Sequence, residues 1–345
     1  MQDVQDILDE AVHLKNVTGI SMSMRSDTEH ILLQSGYSSA RTKRPFSLND
    51  RFQVGSLTKM FVAASILKLK DEGRLDLDQK VLDFVHHPNL HPNLTIRHLL
   101  KHRSGLKDYI SMKHEGKALV SYGIQDYYLP PALLIKTAAE RSPNQEPGAP
   151  FNYSNTNFII LGMIIEEITR QSASDVLDAL FTHPLELKNT SLPKQAMRLS
   201  THGHSSLTDD LTEETRERKE LSFYNPSIPW TAGAMVSTPD EINKWLFSLM
   251  SGELLEDESL KEMMSFSYTG EGTEKYGLGL AQFQFYDETN AVGHRGGIQG
   301  YESLALYFPN EHACLTILIN QMPGSVGLIA KNIYKTLFLK NEAQS

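Results

Sequence analysis

Strand-like runs stand at the two ends of this chain and hardly at all between them. Residues 19–24 and 31–33 read as two strands near the start, and residues 276–285, 291–294, 301–308 and 313–319 as successive strands near the end. The Gly-rich turn Gly296-Gly297-Ile298-Gln299-Gly300 and the turn Pro309-Asn310-Glu311 connect the last of these. A strand leaves backbone donors and acceptors along both edges, and each edge needs a neighbour. The two groups therefore predict one antiparallel sheet built from both chain termini, flanked by helices, with a large helical region inserted. The expected class is α/β (α+β) in a single domain over 1–345, with its α/β part at 1–55 and 266–345 and its helical part at 56–265.

The helices announce themselves by spacing and caps. Val4, Ile7, Leu8, Ala11 and Val12 follow helical periodicity. A helix from Ser56 carries apolar residues on more than half of its turn and is expected to stop at Gly73. Thr95 caps a short helix ending at Ser104-Gly105, and Pro130-Pro131 opens another. Residues 155–169 form a second strongly apolar helix, Thr238-Pro239-Asp240-Glu241 reads as a capping box, and a closing helix covers 325–339. Residues 200–222 are polar and charged and read as an excursion or lid.

Lys+Arg 33 against Asp+Glu 42 leaves a net charge of −9, which argues against nucleic acid or an anionic membrane as partner. The longest apolar run, 158–165, is too short to span a bilayer. The first residues lack the basic and apolar regions of a signal peptide, so the chain is read as cytoplasmic, or as beginning after a removed export signal. Cys314 is the single cysteine, sits in an apolar run, and reads as a buried inert thiol.

Ser56-Leu57-Thr58-Lys59 places a hydroxyl and an amine at i and i+3, on one helical face. Lys59 can reach the Ser56 hydroxyl and take its proton, and a serine becomes a useful nucleophile when such a base is at hand. Burial in an apolar helix supplies what a lysine base needs, because desolvation disfavours the charged amine. The same spacing recurs at Ser65/Lys68, Ser104/Lys107 and Ser191/Lys194. Ser65 is rotated away from the helix start, Ser104 sits in a Ser-Gly turn, and Pro193 interrupts the last, so the first pair is the candidate.

Two further motifs fit that chemistry. Tyr153-Ser154-Asn155 stands at the head of the second apolar helix, and Tyr-x-Asn occurs only there. A phenol near ammonium groups is expected to be driven toward phenolate and to move protons. Asn155 offers a donor and an acceptor to hold Lys59 or a substrate amide. His294-Arg295-Gly296-Gly297 follows a predicted strand, where glycines let a substrate backbone approach. A backbone N–H there, with that of Ser56, would form an oxyanion hole, and His294 would meet a substrate carboxylate or support the phenol. His114-Glu115-Gly116 has the same pattern without strand context. His98 and His102 have metal-ligand spacing, with His86, His87 and His91 near, but no glutamate base lies between them, so neither metal nor cofactor is expected.

With these three motifs in this order, the chain resembles the serine β-lactamase/penicillin-binding superfamily, in its class C branch. That branch includes class C β-lactamases, D-alanyl-D-alanine carboxypeptidases, D-amino-acid peptidases and related esterases. Thr95 to Leu106, Pro147-Gly148, Ala232 to Thr238 and Tyr276-Gly277-Leu278-Gly279 are similar to further family blocks, and the likeness covers nearly the whole chain. The resemblance implies Ser56 as nucleophile, Lys59 and Tyr153 as the proton-transfer pair and Asn155 as the orienting amide. It implies His294 at the third-motif cation position and Gly297 as second oxyanion donor, with Gly296 beside it. Histidine at 294, where class C β-lactamases carry lysine, is similar to the carboxypeptidase and esterase members. The expected function is a serine hydrolase working through a Ser56 acyl-enzyme on D-amino-acid peptides such as a D-Ala-D-Ala terminus. The alternatives are an esterase on small esters and a non-catalytic penicillin-binding or sensor protein. Partners are then a small-molecule or peptide substrate, with β-lactams as acylating ligands.

Overall fold

The architecture, taken from a computed structural model, is described for residues 1–14, 17–111, 113–114, 117–118, 128–140, 146–205, 219–270, 272–286 and 289–339. Helix α1 (Gln2–Leu14) precedes strands β1 (Gly19–Ser26) and β2 (His30–Gly36). Helices α2 (Thr58–Asp71), α3 (Ile96–Leu100), α4 (Asn155–Thr169) and α5 (Pro239–Met250) follow in the middle of the chain. Strands β3 (Ser267–Tyr268), β4 (Lys275–Tyr276), β5 (Ala281–Tyr286), β6 (Thr289–Ile298), β7 (Tyr301–Phe308) and β8 (Ala313–Ile319) lead to helix α6 (Val326–Tyr334).

These strands make one eight-stranded sheet in the order β2-β1-β8-β7-β6-β5-β4-β3, antiparallel throughout. The early and late strands join where β1 pairs β8, with Met22 opposite Ile317. The mixed α/β architecture expected from the two strand groups is thus the observed one. β8 is buried along its whole length. Its side chains alternate, as a pleated strand requires. Leu315, Ile317 and Ile319 join the core under α1 and α6, while Cys314 and Leu318 belong to the core of the helical side. Helix α5 covers that second face, and its buried Asn243 accepts the Thr316 hydroxyl. Trp245 of α5 stacks on Phe61 of α2 at 3.8 Å between ring centres. This contact ties the sheet cover to the helix that presents Ser56.

α2 is buried on almost every side, with Thr58 through Leu67 all inaccessible, so core packing rather than amphipathic spacing holds it. It ends as expected: Gly73 adopts φ +68°, its N–H bonds the Lys70 carbonyl, and the Arg74 N–H bonds that of Leu69. Thr95 caps α3 in a reciprocal box in which the His98 imidazole takes the place of the usual Glu or Gln. α3 stops at Leu100, so His98 and His102 do not share a helical face. Burial pushes the Cys314 thiol up, in keeping with an inert side chain.

Four local readings change. The run 276–285 is not one strand: β4 and β5 form a hairpin around Gly277–Leu280, where Gly279 has φ +71°. The Gly-rich segment after His294 is mostly strand, since β6 continues to Ile298 and only Gln299-Gly300 turns. Thr238 does cap α5, but the Glu241 carboxylate is drawn to the Asn189 N–H and the Thr190 hydroxyl instead of closing a capping box. The polar segment 200–222 contributes to strands Met197–Ser205 and Lys219–Tyr224, and its central residues 206–218 lie outside the described residues. Glu115 and Gly116 of the second His-x-Gly pattern also lie outside them. Among the described residues no helix is long and apolar enough to cross a membrane.

Candidate active site

Ser56 sits in a single 3-10 turn, Gly55–Leu57, immediately before α2. That turn lies against β6. A side chain at Gly296 would stand 2.3 Å from the Val54 carbonyl and 3.2 Å from the Ser56 nitrogen, so only a bare backbone allows this approach. Ser303 of β7 secures it by donating to the Val54 carbonyl at 2.8 Å. Gly55 and Gly297 also meet backbone to backbone, which brings the Ser56 and Gly297 amides to one wall.

One turn beyond Ser56, at the second position of α2, Lys59 is fully buried. Its Nζ lies 3.0 Å from Ser56 Oγ, 2.7 Å from Asn155 Oδ1 and 2.6 Å from the Ala232 carbonyl. Burial drives its pKa down to about 7, partly opposed by the negative charge of Asp108. Asn155 Nδ2 donates to Asp108 Oδ2 at 2.7 Å, which turns Oδ1 toward Lys59. Asn155 Oδ1 and the Ala232 carbonyl can only accept. They hold the two hydrogens of a neutral amine and leave its lone pair facing Ser56.

Tyr153 approaches the same oxygen from the other side, its hydroxyl donating to Ser56 Oγ at 2.9 Å. Here the phenolate expectation is corrected. Burial, with the charges of Asp108 and Glu274, pushes the phenol up, outweighing its hydrogen bond to Ser56. Tyr153 is therefore a protonated donor at rest.

His294 also departs from its reading as a cation. The imidazole is buried, and desolvation followed by the Lys59 charge pushes it down to about 3. Nδ1–H donates to the Arg295 carbonyl, so Nε2 is left to accept from the Tyr276 hydroxyl at 3.0 Å. It is a neutral ring wedged behind Tyr153, 6.2 Å between ring centres. Arg295 faces away and packs on Phe283, with its side chain 62 % exposed.

The structure thus brings together Ser56, Lys59, Tyr153, Asn155, Gly296 and Gly297, with His294 one layer behind. The other Ser-x-x-Lys serines are engaged elsewhere: Ser65 bonds the Phe61 carbonyl, and Ser104 bonds Asn157 Oδ1. Lys194 pairs with Asp175 on the surface. Asp108, Tyr276 and the Ala232 carbonyl were not singled out from sequence as parts of the site. Asp108 lies in a loop with no periodicity, and its place three residues after Ser104-Gly105 was the one available hint.

Beside Ser56 opens a cavity of about 400 Å³. Leu221, Phe223, Ile228, Ile298 and Met322 give it an apolar wall, and Gln53, Asn225 and Gln299 add neutral polar groups. No lysine, arginine or carboxylate is among the described residues that line it.

The fold is that of the serine β-lactamases and penicillin-binding proteins. The chain belongs to the Beta-lactamase family, whose profile matches residues 4–339. It is 25% identical over 299 residues to penicillin-binding protein 4* of Bacillus subtilis (strain 168), covering 83% of this chain and 64% of that relative's length. It thus spans less than two thirds of the curated relatives it matches. Among solved structures, a D-stereospecific amidohydrolase from Streptomyces sp. superposes with TM-score 0.83 at 27% identity, covering 98% of both chains. The D-amino acid amidase of Ochrobactrum anthropi SV3, complexed with D-phenylalanine, gives TM-score 0.86 at 26% identity over 99% of both.

Proposed function

We propose that this chain is a serine amidohydrolase that cleaves D-amino-acid amides and peptides through an acyl-enzyme on Ser56. One observation carries the reading: Ser56 Oγ is held between a lysine whose pKa is depressed to about 7 and a neutral phenol, at 3.0 Å and 2.9 Å. The Ser56 proton passes to Lys59 Nζ as Oγ attacks the substrate carbonyl carbon. The oxyanion forms against the backbone N–H groups of Ser56 and Gly297, each such donor being worth about 10²–10³ in rate. Tyr153 gives its proton to the departing nitrogen and recovers one from the Lys59 ammonium. A water then attacks the ester and gives its proton to Lys59, and a proton returns to Ser56 Oγ as the acid leaves. The two parts of the chain, 1–55 with 266–345 and 56–265, act in this reading as one catalytic domain.

The D-configuration is supported by the Streptomyces and Ochrobactrum enzymes, which match this chain over nearly its whole length. The cavity favours an uncharged leaving group. A D-Ala-D-Ala carboxypeptidase must meet a free carboxylate, and here His294 is neutral, Arg295 faces out, and no cation is among the described lining residues. The apolar wall also suits small esters, which keeps the esterase reading in play.

A substrate panel separates these readings. We expect kcat/KM for D-phenylalanine amide to exceed that for the L-amide and for a D-Ala-D-Ala peptide by about 100-fold, the scale of a missed polar contact plus a misplaced carbonyl. A D-Ala-D-Ala peptide as the best substrate would restore the carboxypeptidase, and p-nitrophenyl esters far above every amide the esterase. No turnover and no adduct with an activated ester or a penicillin would leave the sensor reading.

The pH profile follows from Lys59. The active form is the free amine, so kcat/KM should rise through about pH 7 and hold a plateau to at least pH 9, since Tyr153 is shifted upward. Asp108 raises the Lys59 pKa, so Asp108→Asn should move the acid limb to lower pH. An unmoved limb in that variant would show that another group sets it.

A further inference from the structure

We infer that His102 is a positioning residue for Tyr153, acting as a permanently neutral imidazole that backs the phenol ring and keeps its hydroxyl on Ser56. This rests on the role given to Tyr153 above.

His102 follows the end of α3 with φ +52°, an uncommon conformation in which Asn, Asp and His are the enriched non-glycine residues. Its carbonyl accepts the Asn152 N–H at 2.9 Å, tying the loop before Tyr153 to α3. The imidazole is wholly buried and lies flat on the Tyr153 ring, 4.3 Å between centres and 29° between planes. Phe158 contacts it at 5.4 Å, and the Tyr276 and Phe151 rings meet it edge-on at 5.0 and 5.7 Å.

The hydrogen bonds specify the tautomer. Nδ1 lies 3.1 Å from the Ser154 N–H and 3.1 Å from Asn157 Nδ2. The Ser154 N–H can only donate, so Nδ1 accepts; Asn157 then presents its nitrogen there and its Oδ1 to the Ser104 hydroxyl at 2.6 Å. Two donors converge on Nδ1, so that atom is bare and the ring proton sits on Nε2. Among the described residues Nε2 has no hydrogen-bond partner, and it is enclosed by aromatic rings. Protonating Nδ1 would set it against both donors, and burial, followed by the nearby Lys59 charge, opposes it further. A histidine chosen for this place supplies a flat ring and one acceptor together. Phenylalanine would lack the acceptor, and asparagine the ring. An error of about 1 Å at a reacting group can cost about 10²-fold in rate, which is the scale at stake if the Tyr153 ring slips.

The test is a double-mutant cycle read by single-turnover acylation with D-phenylalanine p-nitroanilide, whose leaving nitrogen needs the Tyr153 proton. His102→Asn tolerates the backbone conformation and keeps an acceptor for the Ser154 N–H, but removes the ring. We expect it to slow acylation by about 10- to 100-fold with KM changed less than about 3-fold. The same substitution in a Tyr153→Phe background should cost under about 2-fold. Equal losses in both backgrounds would overturn the inference and leave a structural role. A Tyr153→Phe variant with wild-type acylation would instead overturn the site reading on which it rests. If His102→Asn does not fold, Asn157→Ala removes one of the two donors and should show a smaller loss with the same dependence on Tyr153. Independently, two-bond ¹H–¹⁵N spectra of histidine-labelled wild-type protein should show His102 as the Nε2–H tautomer from pH 5 to 8. An Nδ1–H form or an imidazolium would contradict it.

Discussion

Replacing Ser56 by alanine is expected to abolish turnover, with kcat falling by about 10⁴–10⁶-fold, the range seen when a catalytic nucleophile is removed and only binding and oxyanion contacts remain. The substitution is small and Ser56 is only partly buried, so the fold should survive it. Mass spectrometry gives the sharper readout. Wild type treated with an activated ester should gain one acyl mass, and a digest should place it on the peptide bearing Ser56. The alanine variant should gain none there. Wild-type turnover in Ser56→Ala would mean that the neighbouring groups assemble around the wrong oxygen.

Lys59→Met should slow acylation by about 10²–10⁴-fold, the contribution of a positioned general base. Unlike Ser56→Ala it should still label slowly, because the nucleophile remains. It should also change how stability depends on pH. The Lys59 pKa falls from 10.5 to about 7 on folding, so between those values the unfolded chain binds more protons than the folded one. Wild type therefore gains stability as pH rises from about 7 toward 10, and below pH 7 it carries a buried charge. Methionine has no such term, although it leaves Asn155 Oδ1 and the Ala232 carbonyl short of a donor. The melting temperature of wild type relative to Lys59→Met should thus be higher at pH 9 than at pH 6. A difference that does not change with pH would show that Lys59 is charged across the range.

Both experiments probe features of different legibility. The Ser56/Lys59 spacing is local: i and i+3 face one way on any helical turn, and the apolar run after it marks burial. Tyr153 and Asn155 are legible because they stand at the head of an equally apolar helix. The sheet was legible because six runs of strand character stand at the chain's ends and must find edges. The hairpin inside 276–285 was not, since Leu278 and Leu280 are core residues whether the backbone turns at Gly279 or runs on. The place of His102 against Tyr153 was not legible, because its partners Ser154 and Asn157 lie some fifty residues away.

The sequence by itself determined the Ser56/Lys59 pair, the Tyr153-Ser154-Asn155 motif and the apolar helices beside them, because those follow from short-range spacing. Tertiary structure alone decided their charge states. Asp108 and the Ala232 carbonyl reach Lys59 from distant segments, and the desolvation that frees its amine, holds Tyr153 as a phenol and keeps His294 neutral is a sum over every element packed around them. A pKa in a protein interior belongs to the surroundings as much as to the residue, and no pattern of neighbours along the chain contains those surroundings.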